Sequence, residues 1–109
     1  MITATFSNGY TDTYKGSRDV KAAWMVTEKA TGKVIASGHS LNKEVAEKTA
    51  KSSTVLHTLP AGWRKWRKDV RAEGYAKLHG YKSVVDMEAS MAKANAEFAS
   101  SVKIEVIAL

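Results

Sequence analysis

The chain has 109 residues, 44% of them apolar, with three Trp, four Tyr, no Cys and a net charge of +6. This length suits one domain with its own hydrophobic core, and the lack of Cys excludes thiolate metal sites, disulfides and thiol redox chemistry. No window approaches the ~18 apolar residues of a membrane span. MITATFSNGY has neither the basic start nor the apolar run of a signal peptide, so a soluble, cytoplasmic protein without a membrane partner is expected.

In chain order, ITATFS alternates Ile2, Ala4 and Phe6 with Thr3, Thr5 and Ser7, the period of a half-buried strand. Asn8-Gly9 then suits a hairpin turn, with Thr11 to Lys15 returning. A second hairpin is expected from AAWMVTEK (22–29) and KVIASGH (33–39) around Gly32, with Trp24 and Val26 on one face and Val34 and Ala36 sharing another. Past SGHS the period becomes helical. Ser40 or Asn42 can cap a helix that runs to Pro60, with Leu41, Val45, Thr49 and Leu56 as its apolar face. Pro60-Ala61-Gly62 reads as a hinge.

WRKWRKDVR (63–71) then opens a second helix. Trp63, Trp66 and Val70 share one face at i, i+3, i+7, while Arg64, Arg67, Lys68 and Arg71 lie along another. Gly74 and Gly80 leave YAKLHGY as a short helix or turn. Ser83-Val84-Val85-Asp86 matches a capping box and starts a helix with Val84, Met87, Met91, Ala94 and Phe98 inward. VKIEVIAL alternates again and should join the sheet as a terminal strand. Runs of strands followed by runs of helices predict an α+β domain. An antiparallel sheet of four to five strands, including the C-terminal one, is expected to carry two to three helices on one face. The whole of 1–109 reads as one domain, divided into a strand-rich 1–59, a basic helical 63–101 and a terminal strand at 102–109.

Catalytic signatures are missing. His39, His57 and His79 fall in three separate elements and none forms an HxxxH pair. Neither a GxSxG elbow nor a GxxxxGK[ST] phosphate loop is present. Asp12, Asp19, Asp86 and Glu88 have ordinary roles in turns and at a helix start. No catalytic residue, metal ligand or cofactor is expected, and a small hydrolase or nuclease is the least favoured class.

The charge is placed unevenly. Residues 63–82 carry seven Lys/Arg against Asp69 and Glu73, which is +5 of the overall +6. A localised positive region concentrates polyanions and argues against an acidic mimic of DNA. Cations presented on one side release counterions from a phosphate backbone and so gain affinity. Arg64, Arg67, Lys68 and Arg71 suit that role, extended by Lys65, Lys77 and Lys82. Trp63 and Trp66 are read as core residues, because their register with Val70 is that of a helix seated on a core. Tyr75 and Tyr81, beside Lys77 and Lys82, are the expected exposed aromatic contacts.

TGKVIASGHSLNKEVAEKTAKSS resembles the end of a double-stranded-RNA-binding domain through Gly38, Ser40, Lys43, Ala46 and Ala50. The resemblance implies a strand passing through a G-x-S turn into a lysine-bearing helix, although Glu44 and Glu47 replace expected lysines. AKLHGYKSVVDMEASM is similar, through Gly80, Tyr81 and Ser83, to the interhelical hinge of ribbon-helix-helix DNA-binding proteins. TATFSNGYTDTYKG and KATGKVIASGHSLNKEVAEKTA look like small accessory proteins of tailed bacteriophages. That likeness implies a host-takeover or anti-defence role in the host cytoplasm.

The expected function is non-enzymatic binding of nucleic acid, DNA or RNA, through the basic helical surface. The alternative is a phage-type inhibitor that docks the same surface on an acidic or nucleic-acid-binding host protein. Oligomeric state, and whether the terminal strand pairs within the chain or with a partner, stay open at this level.

Overall fold

Five successive residues, Ala22 to Val26, are buried in one strand, so that strand must be covered on both faces. This requirement organises the first half of the fold. The computed structural model describes residues 1–109. The strands are β1 (Ile2–Thr5), β2 (Thr11–Tyr14), β3 (Ala22–Glu28), β4 (Val34–Ser40) and β5 (Val102–Ala108). The helices are α1 (Lys43–Ser52), α2 (Trp63–Trp66), α3 (Val70–Leu78) and α4 (Val84–Ser101). The fold is α+β. None of the helices is long and apolar enough to cross a membrane.

The chain forms two compact units, Met1–Val55 with Phe98–Leu109, and Leu56–Glu97. In the first, the strands form two antiparallel sheets, β1-β2 and β4-β3-β5, rather than the expected single sheet of four to five. The reason lies in β3. Its Ala22, Trp24 and Val26 pack with Ala46, Ala50 and Val102 and with the half-buried Ala36, Phe98, Ile104 and Val106. Its Ala23 and Met25 pack instead with Ala4, Phe6, Tyr10, Val34 and Ile107. The β1-β2 hairpin therefore covers one face of the larger sheet and α1 the other. Helices on a single face would have left one side of β3 in water.

Both hairpin turns use the glycines expected of them, with φ of +85° at Gly9 and +72° at Gly32. Val34 and Ala36 do not share a face, however. The ladder shifts between Val26↔Ala36 and Thr27↔Val34, and this bulge turns Val34 to the hairpin side. Gly38 lies opposite Trp24 within the ladder, so the G-x-S segment is strand and not turn. A Cβ at position 38 would come within 2.9 Å of the Trp24 indole. The indole lies over bare backbone there.

Helix α1 starts where expected, with Asn42 Oδ1 accepting from Val45 N at 2.9 Å. It ends at Ser52, well before Pro60. Ser52, Ser53 and Thr54 each donate a hydroxyl back to a carbonyl, of Lys48, Ala50 and Lys51 at 3.0, 2.7 and 2.7 Å. These bonds satisfy the last-turn acceptors locally and let the backbone turn away. The buried face also differs. Ala46 and Ala50 are fully buried, in one cluster with the Trp24 indole, while Leu41, Val45 and Leu56 are exposed.

The second unit has its own core: Trp63, Ala72, Ala76, Val84 and Met87, with Trp66, Tyr75, Tyr81 and Met91 half-buried around them. Asn95 on α4 fixes the incoming chain. Its side-chain oxygen accepts from Leu56 N and His57 N, both at 2.9 Å, and its Nδ2 donates to His57 O at 3.0 Å. Helix α3 ends in a Schellman motif, with Tyr81 N donating to Ala76 O and Gly80 N to Lys77 O, and φ of +87° at Gly80. Helix α4 then opens on Ser83, whose Oγ accepts from Asp86 N at 3.1 Å. The segment that resembles a ribbon-helix-helix hinge is thus a Schellman stop followed directly by a capped start.

Candidate nucleic-acid interface

WRKWRKDVR is two helical pieces. Helix α2 ends at Trp66, Arg67 caps it, and Asp69 is extended (φ −80°, ψ 158°) as the residue before α3. This break removes the predicted common face of Trp63, Trp66 and Val70. Trp63 is 5% exposed, whereas Val70 on the new helix is 90% exposed. The tryptophans are core residues even so. Trp63 and Trp66 meet edge to face at 4.8 Å, and the Tyr75 ring lies 5.9 Å from each. Trp66 Nε1 donates to Ala61 O at 3.3 Å.

The cations have separate fates. Arg67 is half-buried and its guanidinium donates to Glu88 Oε1 at 2.6 Å, a charge-assisted bond from the end of α2 to α4. That bond, reinforced by the opposite charge, raises the Arg67 pKa. It also holds the Glu88 carboxyl below the ordinary glutamate range, against the partial burial that opposes it. The Trp63 indole N–H pulls the same way, although it has no partner within hydrogen-bond geometry. Arg71 is exposed, 3.3 Å from Asp69 and with its guanidinium 5.7 Å from the centre of the Trp66 ring. Arg64, Lys65, Lys68, Lys77 and Lys82 are all exposed, and no ion pair engages any of them.

Tyr75 and Tyr81, expected as exposed contacts, are half-buried against the core. The Tyr75 ring also meets His79 at a tilt of 45°, with centroids 4.3 Å apart. What sequence reasoning missed is apolar. Val70, Leu78 and Val85 are 90%, 83% and 74% exposed among these cations. Val70 and Leu78 lie eight residues apart on α3 with Gly74 between them, the spacing of one helical face. Periodicity gives no clue, because it groups Val70 with the tryptophans across a break that only the folded backbone reveals.

The first unit contains a cavity of about 230 Å³ lined by Tyr14, Arg18, Val20, His39, Ser40, Leu41, Val45 and Thr49. The His39 side chain is buried, with Nδ1 3.5 Å from Asp12 Oδ2 and Nε2 without a partner. This pair was not legible in the sequence because hairpin packing brings its members together. No three His, Asp or Glu side chains gather as a metal site would require.

Compared with family models, curated proteins and solved structures, the chain has no match.

Proposed function

We propose that the chain is a binding protein whose 64–82 surface engages the phosphate backbone of nucleic acid. The observation that carries this reading is the set of five exposed cations without acidic partners, Arg64, Lys65, Lys68, Lys77 and Lys82. An unpaired exposed cation stays hydrated until a polyanion arrives, and the released counterions then favour binding. Arg71 adds to the set, since its guanidinium is both accessible and held over an aromatic face. Arg67 belongs to the architecture, because its charge is already matched by Glu88. Such contacts position a duplex or strand without reading its bases.

A second reading is favoured by Val70, Leu78 and Val85. Exposed apolar groups among cations suit a protein partner with an acidic rim better than they suit phosphates alone. That reading is a phage-type inhibitor docked on a nucleic-acid-processing or defence protein of the host. A tagged pull-down from bacterial lysate, with and without nuclease, separates the two. Nucleic acid recovered without nuclease, and lost when Arg64, Lys65 and Lys68 are changed to Glu, supports the first reading. One discrete protein that survives nuclease, and is lost in Val70→Asp/Leu78→Asp, supports the second. Retention of every partner by both variants overturns this surface as the site.

A further inference from the structure

Strand β5 is an outer strand of the β4-β3-β5 sheet, and its free edge is regular over its whole length. It pairs with β3 without a shift from Val102↔Glu28 to Ala108↔Ala22. The opposite edge, β4, is broken by the bulge near Val34 and carries Gly38, both of which weaken further pairing. The flanking bonds Lys29 N to Ser101 O (2.9 Å) and Leu109 N to Lys21 O (3.0 Å) fix which residues bond inward. By antiparallel alternation, positions 103, 105 and 107 direct their backbone groups to β3. Val102, Ile104 and Val106 direct theirs outward, and no other segment hydrogen-bonds to them.

We propose that this edge pairs with β5 of a second copy of the chain, antiparallel, with Ile104 opposite itself on the two-fold axis. Charge selects that register. Centring on Lys103 or on Glu105 would place like charges directly opposite each other, which is destabilising. Centring on Ile104 places Lys103 opposite Glu105 of the second copy twice, and Val102 opposite Val106 twice. The outward-bonding residues 102, 104 and 106 then meet one another, giving about six main-chain hydrogen bonds. Lys103 and Glu105 fall in the non-bonded pairs between them, where side chains approach most closely. Glu105 is already steadied by Ser7, whose backbone N donates to it at 2.9 Å and whose hydroxyl also bonds it. Val102, Ile104 and Val106 belong to the helix-covered core, so the pairing would make that apolar layer continuous across the axis. A C2 contact of this kind is self-complementary and closes as a dimer.

The test uses the full chain. Sedimentation equilibrium is expected to give twice the 11.9 kDa chain mass. Ile104→Pro removes an outward N–H that the ladder with β3 does not use, and should yield a folded monomer by circular dichroism. Lys103→Glu turns two attractive pairs into repulsive ones and should weaken dimerisation at least about tenfold. The chain has no cysteine, so register can be read directly by oxidation. Ile104→Cys should crosslink two chains, while Val106→Cys, opposite Val102 of the second copy, should not. A monomer at every concentration up to the solubility limit would overturn the proposal. So would a dimer that crosslinks through Val106→Cys and not through Ile104→Cys, whatever Ile104→Pro does to folding.

Discussion

Arg67 and Arg64 stand three residues apart in the same basic run, yet only Arg67 has an acidic partner, Glu88 at 2.6 Å. That partner lowers the Glu88 pKa, which sets a sign for acid sensitivity. Stability from a lowered carboxylate pKa is fully present above the ordinary glutamate value of about 4.3 and is lost as pH falls through the lower value held in the fold. Carbon-detected NMR titration of Glu88 should therefore show a depressed midpoint in the wild type. In Arg67→Gln the midpoint should return toward the ordinary range, and an unmoved midpoint would assign the depression elsewhere. The cations of 63–71 were legible in the sequence. That Arg67 is neutralised was not, because its carboxylate is 21 positions away and is brought in by helix packing.

Among the elements, β-strands were the more legible, because a period of two is visible within a few residues and Asn8-Gly9 and Gly32 mark the turns. Helix α1 was legible in its start and not in its end or face. Leu, Val and Leu at helical spacing outweigh two alanines on any hydrophobicity count, whereas the folded helix buries the alanines against Trp24. Ala50→Leu should consequently destabilise the first unit by about 1–3 kcal/mol through overpacking. Leu41→Ala, at an exposed position of the same unit, should change its stability by less than about 0.5 kcal/mol. Equal effects at the two positions would contradict the packing described for α1. The break at Arg67–Asp69 was illegible for a related reason. WRKWRKDV has an unbroken helical pattern, and the core formed by Trp63, Trp66 and Tyr75 outweighs it.

At the level of the whole molecule, α+β class follows from the order of elements, but the division into two sheets follows from β3 needing cover on both faces. AAWMV carried that signal as a continuous apolar run, the mark of a strand buried on both sides. The functional claim rests on charge that the fold leaves unmatched, and it is quantitative. Each phosphate contact contributes about −0.9 to the slope of log affinity against log salt on duplex DNA, and about −0.7 on single strands. Loss of Arg64, Lys65 and Lys68 should remove about three contacts. The direct measurement is fluorescence anisotropy of a labelled duplex across a salt series, with the wild type beside Arg64→Ala/Lys65→Ala/Lys68→Ala. The expected result is a steep negative slope for the wild type that becomes shallower by about 2–3 in the variant. A slope that is the same in both proteins, or no binding at low salt, would contradict the account.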